Sequence, residues 1–159
     1  MEEIVSHLQE NIGLLQGDWI RRKSGYENDF CRNIGFTCET CRYWDSKFNN
    51  LHIEIKKGFS IWLDEIRYAE LLLGDTDINS SCNVKTFTIF LIPNKEKTRI
   101  KKIYLIDTDK IIEYLMLDEE WSKLIIARKN TVNRSLNCQQ SMTIRDLEKI
   151  ADRCIMNNE

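Results

Sequence analysis

The sequence predicts a single α/β domain, in which a mixed β-sheet carries helices on both faces. The chain has 159 residues, which is enough for one domain with a substantial core but too few for two. Apolar residues recur at helical spacing in several segments and alternate at strand spacing in residues 51–57. Two further apolar runs, 86–92 and 103–106, are typical of strands covered on both faces.

Two amphipathic helices are predicted before the first strand. Apolar residues recur at helical spacing in residues 4–15, and Gly17 is expected to end this helix. Ser24 and Glu27 have the spacing of a capping box, which predicts a second, short helix that ends at Gly35. The domain therefore begins with helical segments.

Residues 36–44 and 51–57 predict a β-hairpin that is closed by the loop "SKFNN". In the second strand, apolar and polar side chains alternate, so they would point to opposite faces. One face would carry Leu51, Ile53 and Ile55. The other face would carry His52, Glu54 and Lys56.

Beyond the hairpin, a helix and two central strands are predicted. Gly58 breaks the strand, and Ser60 can cap a helix with apolar residues at helical spacing up to residue 73. A polar loop precedes the apolar runs 86–92 and 103–106, which the basic stretch "KEKTRIKK" separates.

The last part of the chain predicts a helix, a strand and a helix. Asp107 or Thr108 is expected to cap a helix over residues 108–117. Residues 123–129 predict a short strand. Thr143 then opens a final helix over residues 143–154, with Asp146 in capping-box spacing.

The predicted hairpin brings two carboxylates and a lysine together. Glu54 and Lys56 share one face of their strand, and Asp45 returns opposite residues 52–54 on the neighbouring strand. Two converging carboxylates are unfavourable unless a cation neutralises them, and hard oxygen ligands favour Mg²⁺. A lysine beside them can activate water and stabilise charge on a phosphate, which is the chemistry of phosphodiester hydrolysis.

With an acidic helix before this hairpin and a helix and two buried strands after it, the chain resembles the PD-(D/E)xK nuclease superfamily, and most closely its small type II restriction endonucleases. The resemblance extends from "GYENDF" through "IEIKKGFSIWLDEIRYAELLLG" to "KKIYLIDTDKIIEYL". It implies a restriction-endonuclease-like fold and a homodimer that cuts double-stranded DNA at a short palindrome. The cofactor it implies is Mg²⁺.

The resemblance also implies roles for individual residues. Asp45 would be the first metal-binding acid, Glu54 the second and Lys56 the motif lysine, with the carbonyl of Ile55 as a further metal ligand. Glu27 matches an acid that some members add to the site from a helix, although a capping box also explains a glutamate there.

Several alternatives remain open at this stage. The first motif is "YWD", without the proline of the superfamily name, and Asp29 competes with Asp45 for the same role. A structure-specific nuclease, such as a junction resolvase or repair enzyme, would fit the same motif. A non-catalytic or inhibitory binding protein that retains the fold is a third hypothesis. Lone E-x-K sequences are common on the wet face of a strand.

The cysteine pattern favours free thiols over a metal site. Cys31, Cys38 and Cys41 include a C-x-x-C pair, and Cys82 could complete a tetrahedral zinc site if its loop folds back. No second C-x-x-C pair follows. Buried free cysteines that act as small apolar residues are the preferred interpretation.

The sequence also indicates a cytoplasmic protein with a single domain over residues 1–159, which the resemblance implies is a nuclease domain. Residues 1–17 would form a leading helix available for dimerisation, 24–127 the catalytic core and 128–159 a C-terminal region with possible DNA contacts. Within that region the resemblance implies sequence readout, for which Asn130, Asn133 and Arg134 are the candidates. Neither a signal peptide nor a membrane span is predicted, and the net charge of −2 leaves DNA binding open.

Overall fold

The computed structural model describes residues 1–73, 84–117 and 139–158. Within these ranges the α-helices are α1 (Glu2–Asn11), α2 (Tyr26–Ile34), α3 (Glu65–Leu73), α4 (Thr108–Leu115) and α5 (Ile144–Ile150). The strands are β1 (Thr37–Cys38), β2 (Ser46–Phe48), β3 (Leu51–Lys57), β4 (Ser60–Asp64), β5 (Thr86–Pro93), β6 (Ile100–Asp107), β7 (Gln139–Thr143) and β8 (Arg153–Met156). Short 3₁₀ helices cover Ile12–Leu14 and Asp18–Arg21.

The described strands form a mixed six-stranded sheet and a separate two-stranded ribbon. The sheet has the order β1-β2-β3-β5-β6-β8, and the ribbon pairs β4 with β7. Strands β3 and β5 are parallel, whereas the other pairs are antiparallel. Parallel neighbours need a crossover connection, and α3 lies in the segment between β3 and β5.

Helices cover both faces of the sheet, as the sequence predicts. On one face, α1 and α2 bury their apolar side chains against Ile53 and Ile55 of β3 and the equivalent positions of β5 and β6. On the other face, the β4–β7 ribbon packs with α3, α4 and α5 over Phe90 and Tyr104. The α/β class, the two central strands and the alternation in residues 51–57 are confirmed.

The end of the second helix is confirmed, but its predicted cap is wrong. Helix α2 ends at Gly35, which has the left-handed conformation with φ 76°. At the other end, the N-cap residue is Gly25, and no side chain caps the helix there. Ser24 and Glu27 therefore do not form a capping box, so capping does not explain the glutamate.

The hairpin is tighter than predicted, because "SKFNN" is not a loop. Its first three residues are β2, which pairs with β3 through Ser46 opposite Ile53 and Phe48 opposite Leu51. The turn is made by the two asparagines that follow, and Asn49 has a positive φ of 52°. This is a conformation that asparagine tolerates better than most residues.

Residues 60–64 were predicted as the start of a helix and form β4 instead. Ile61 and Leu63 are buried while Trp62 is exposed, which is the alternation of a strand with one covered face. Helix α3 begins only at Glu65, and Oδ1 of Asp64 accepts a hydrogen bond of 3.2 Å from the N–H of Ile66. The predicted Ser60 cap is therefore wrong, although helix α3 itself is confirmed.

The final helix is capped as predicted but ends early. Thr143 and Asp146 form the capping box. The helix stops at Ile150, and Arg153–Met156 returns as β8 along the free side of β6. The predicted strand 123–129, the polar loop 74–83 and the candidate readout residues Asn130, Asn133 and Arg134 lie outside the described residues.

In the described part of the chain, none of the helices has the length and apolar character that crossing a bilayer requires.

Candidate active site

The hairpin places Asp45 beside the middle of β3. Its backbone N–H donates a hydrogen bond of 2.9 Å to the carbonyl of Ile53. Its side-chain Oδ2 accepts one of 2.8 Å from the N–H of Ile55. The carboxylate thus takes the position at which the next backbone carbonyl of the β2–β3 ladder would lie. Both bonds fix the direction in which this side chain points.

Glu54 is a buried carboxylate held between two cations. Its residue is only 7% exposed. Its Oε1 lies 3.6 Å from Nζ of Lys56 and 3.3 Å from Nη1 of Arg67. Strand alternation accounts for the lysine, which sits two residues further along the same face of β3. The arginine comes from the first turn of α3.

The carboxyl groups of Asp45 and Glu54 lie close enough to shift each other's pKa. Burial raises the pKa of Glu54 to about 8, with the charge of Asp45 as the next cause, while Lys56 and Arg67 oppose the shift. Burial also raises the pKa of Asp45, against the hydrogen bond from Ile55. Two acids that converge in this way are expected to titrate as a pair.

Arg67 is a site residue that sequence reasoning missed. The helical pattern over these residues gives Arg67 no role, and only the fold shows that α3 turns it towards Glu54 of β3. The guanidinium contacts Glu54 and lies 4.0 Å from Oδ2 of Asp64 through Nε. Among the described residues this buried Nε has no hydrogen-bond partner. A cation in the first turn of the helix after the E-x-K strand was the available signal.

Glu27 lies at the edge of the same cluster. The pKa of its carboxyl is raised mainly by burial, and the charge of Asp45 raises it further while that of Lys56 lowers it. The neighbouring phenol of Tyr26 has a pKa that is raised by burial and by the nearby carboxylates, Glu27 first among them. Helix α2 therefore brings a third acid within electrostatic range of the pair.

Asp29, the rival of Asp45, occupies a different environment. It is buried on α2, where Oδ2 lies 2.7 Å from Nη1 of Arg22 and Oδ1 lies 3.6 Å from Nη1 of Arg32. Its backbone carbonyl accepts a hydrogen bond from Asn33. These contacts give Asp29 a structural role, whereas the geometry brings Asp45 to Glu54.

The oxygen donors at this position fit the chemistry of Mg²⁺. The pairing between β2 and β3 stops at Ile53, and the N–H of Ile55 points to the Asp45 side. Because the N–H and C=O of one strand residue point to the same side, the Ile55 carbonyl also faces that side. Mg²⁺ is commonly held by one or two carboxylates together with waters. Within the described residues, no group of three or more His, Cys, Asp or Glu side chains is arranged to hold a metal.

The cysteines and His52 contribute no metal ligands that the structure describes. Cys31 is buried while Cys38 is exposed, and both are free thiols, as is Cys41. Cys82 lies outside the described residues, so the fourth position of the predicted zinc set is not placed. The ring of His52 packs against Trp44 with a centroid distance of 4.5 Å.

A buried ion pair anchors the segment that leads into Asp45. Glu70 of α3 is fully buried and accepts hydrogen bonds from Nε of Arg42, at 2.7 Å, and from the hydroxyl of Tyr43, at 2.6 Å. The helix that supplies Arg67 is thereby tied to the residues immediately before Asp45.

Comparisons with protein-family models, with curated proteins and with solved structures give no match.

Proposed function

We propose that the protein is a Mg²⁺-dependent endonuclease of the PD-(D/E)xK type that hydrolyses DNA phosphodiester bonds. The observation that carries the proposal is the convergence of Asp45 and Glu54 at one point of a hairpin, with Lys56 3.6 Å from Glu54. Buried carboxylates in contact are costly without a cation. A divalent metal would offset that cost, which would explain why the two carboxylates are buried together.

The elements around this pair are also those on which the resemblance rests. An acidic helix, α2, precedes the hairpin, and it places Glu27 near the pair. Helix α3 and the two buried strands β5 and β6 follow. This order supports a restriction-endonuclease-like fold, which we include in the proposal.

In this proposal, Asp45, Glu54 and the Ile55 carbonyl would hold the metal. When bound, Mg²⁺ supplies a Lewis acid for the scissile phosphate and lowers the pKa of water. Lys56 orients the attacking water and stabilises charge on the phosphate. Its ammonium is held next to Glu54 in a position only 16% exposed, where a charge acts more strongly than in bulk water.

Arg67 adds a second positive charge to the same pocket. It lies 3.3 Å from Glu54, so it helps to keep that carboxylate ionised. Its guanidinium also presents planar donors suited to a phosphate oxygen. Glu27 would tune the pair electrostatically from α2.

The finer form of the proposal is a type II restriction endonuclease that acts as a homodimer on double-stranded DNA. A symmetric dimer is the simplest reader of a palindrome. The apolar side of α1, the helix proposed for dimerisation, is buried in the domain core through Ile4, Val5 and Leu8. A dimer through α1 would therefore have to use its polar side.

The test is incubation of the protein with plasmid DNA and Mg²⁺, followed by sequencing of any ends. Discrete fragments that vanish in Glu54→Ala and Lys56→Ala would support a restriction enzyme. Cleavage of branched DNA but not of plasmid duplex would indicate a structure-specific nuclease instead. If neither variant changes the biological activity of the protein, the nuclease proposal is wrong and a non-catalytic binding protein takes its place.

A further inference from the structure

A groove next to the candidate site combines an apolar wall with lysines. It has a volume of about 320 Å³ and lies where the connection between β5 and β6 meets the segment between β3 and β4. The residues that line it include Phe59, Ile92, Pro93, Lys95, Lys101 and Lys102.

The charge of this groove is strongly positive. Residues 94–102 contain Lys95, Lys97, Arg99, Lys101 and Lys102, with Glu96 as the one carboxylate. In the described ranges, none of the four lysines forms an ion pair with a carboxylate. Arg21 adds a further cation, because its Nη2 donates a hydrogen bond to the Glu96 carbonyl. Uncompensated lysines next to one another favour an anionic partner.

Phe59 presents an aromatic ring at the wall of this groove. Phe59 is 47% exposed, so its ring is accessible to a ligand in the groove. Nζ of Lys97 lies 5.9 Å from the ring centroid. A cation beside an accessible aromatic ring is the combination with which proteins hold unpaired bases and their phosphates.

The connection that carries the lysines has a fixed shape. Oδ1 of Asn94 accepts hydrogen bonds from the N–H groups of Thr98, at 2.8 Å, and Arg99, at 3.2 Å. Gly17 donates a hydrogen bond of 2.8 Å to the Thr98 carbonyl, so the connection is also tied to the N-terminal segment. Binding to a preformed turn costs little ordering entropy.

The groove is also close to the proposed catalytic lysine. Phe59 follows Lys56 by three residues, which span at most about 11 Å of extended chain. Lys56 is opposite Phe90 in the parallel pair of β3 and β5, and Ile92 of the groove lies two residues further along. The groove therefore lies within a few nucleotides' reach of Lys56.

We propose that this groove binds a single-stranded segment of nucleic acid that flanks the scissile phosphate, with Phe59 stacked on an unpaired base and Lys101 and Lys102 on backbone phosphates. The inference rests on the proposed nuclease function for the position of the cut, but binding itself requires no catalysis. It favours the structure-specific form of the nuclease over the type II restriction form, and the substrate class it names is DNA with an unpaired segment beside the cleaved bond.

The test measures binding without Mg²⁺ by the fluorescence anisotropy of a labelled 20-nucleotide oligo(dT) and of a 20-base-pair duplex. Phe59→Ala is expected to weaken oligo(dT) binding about tenfold, because stacking on one base is worth about that much. Duplex binding should change less. Trp62→Ala, which removes another exposed aromatic side chain that does not line the groove, should leave both affinities unchanged.

Salt dependence tests the lysines. Lys101→Gln/Lys102→Gln should reduce the slope of log K against log salt by about 1.4 for the single strand, since each phosphate contact contributes about 0.7. The control, Lys23→Gln/Lys149→Gln, removes the same charge from exposed positions outside the groove. Equal effects of the two pairs would overturn the proposal, as would stronger competition by polyglutamate than by unlabelled oligo(dT).

A Lys56→Ala variant separates the two proposals. If it binds oligo(dT) normally but cuts nothing, the groove and the nuclease function are both supported. Groove-dependent binding without cleavage by any variant would refute the nuclease function alone. Cleavage that is indifferent to Phe59→Ala and to the groove lysines, on duplex and on single-strand-flanked substrates alike, would refute the groove alone.

Discussion

Oδ2 of Asp45 accepts a 2.8 Å hydrogen bond from the backbone N–H of Ile55. A side chain therefore continues the hydrogen-bond ladder of the β2–β3 hairpin for one more step. As a result, the carboxylate is aligned by the sheet itself and faces Glu54 with little rotational freedom.

Asp45→Asn should abolish Mg²⁺-dependent cleavage while preserving the fold. The amide oxygen can still accept from Ile55, but it lacks the charge that would hold a metal. We expect a loss of about 100-fold or more, because a metal contributes several kcal/mol to the transition state and about 1.4 kcal/mol is tenfold in rate. The matched control is Asp29→Asn, which weakens ion pairs to Arg22 and Arg32 and should leave the cleavage rate within a few-fold. The reverse ranking in a plasmid assay would make Asp29 the metal-binding acid.

Arg67→Gln should shift the acidic limb of the cleavage profile to higher pH. The guanidinium lowers the pKa of Glu54 against burial and the charge of Asp45, so its removal leaves that pKa higher and the ionised form appears later. In Arg67→Lys the acidic limb should return part of the way to its wild-type position. Arg42→Gln removes the same charge beside Glu70 instead, and it should reduce stability without moving the profile. A ¹³C titration of the Glu54 carboxyl reports the same change independently of turnover.

Glu54 should make the metal-free protein less stable as the pH rises. Its pKa is about 8 in the folded protein and 4.5 without the fold, so the folded state keeps a proton that the unfolded state releases. The contribution is fully present below pH 4.5 and is lost progressively as the pH rises through 8. Glu54→Gln should remove this slope and melt several degrees above the wild type at pH 8.5, since about 1 kcal/mol corresponds to about 2–4 °C. Mg²⁺ should reduce the difference in melting temperature between Glu54→Gln and the wild type, because it stabilises the wild type alone. Identical melting curves for the two proteins at both low and high pH would contradict this account.

Glu70→Ala should destabilise the domain. It leaves Arg42, which is only 23% exposed, and the hydroxyl of buried Tyr43 without their shared carboxylate. Breaking a buried pair from one side costs roughly 3 kcal/mol, measurable by urea denaturation. Glu113→Ala, at an exposed position of α4, should stay within about 0.5 kcal/mol. A similar loss of unfolding free energy in both variants would show that the buried ion pair contributes no more to stability than an exposed glutamate does.

Local patterns predicted those parts of the fold that local forces decide. The alternation in β3, the glycine that ends α2 and the capping box of Thr143 and Asp146 each depend on neighbouring residues. Residues 60–64 were mistaken for a helix because Ile61, Trp62 and Ile66 also fit helical spacing. Their strand conformation comes from pairing with β7, about 80 residues away, which a pattern within one segment cannot contain.

The residues of the candidate site also fall into those that local patterns predict and those that only tertiary packing brings in. Asp45, Glu54 and Lys56 come from one hairpin, so their proximity follows from strand alternation and register. Arg67 joins them only through the packing of α3 on the sheet, and Glu27 only through the position of α2. The sequence therefore predicted the acids and the lysine but not the arginine that moderates the pKa of Glu54.

The parallel pairing of β3 with β5 has a consequence for the order of folding. Asp45 and Glu54 are nine residues apart and meet as soon as a two-residue turn closes, an event of about 1–10 μs. Register between Glu54 and Thr88 requires closure of a much longer loop, which is slower. The two negative charges would thus be brought together before α3 delivers Arg67, and a divalent ion present during synthesis would favour the earliest step of the hairpin's formation.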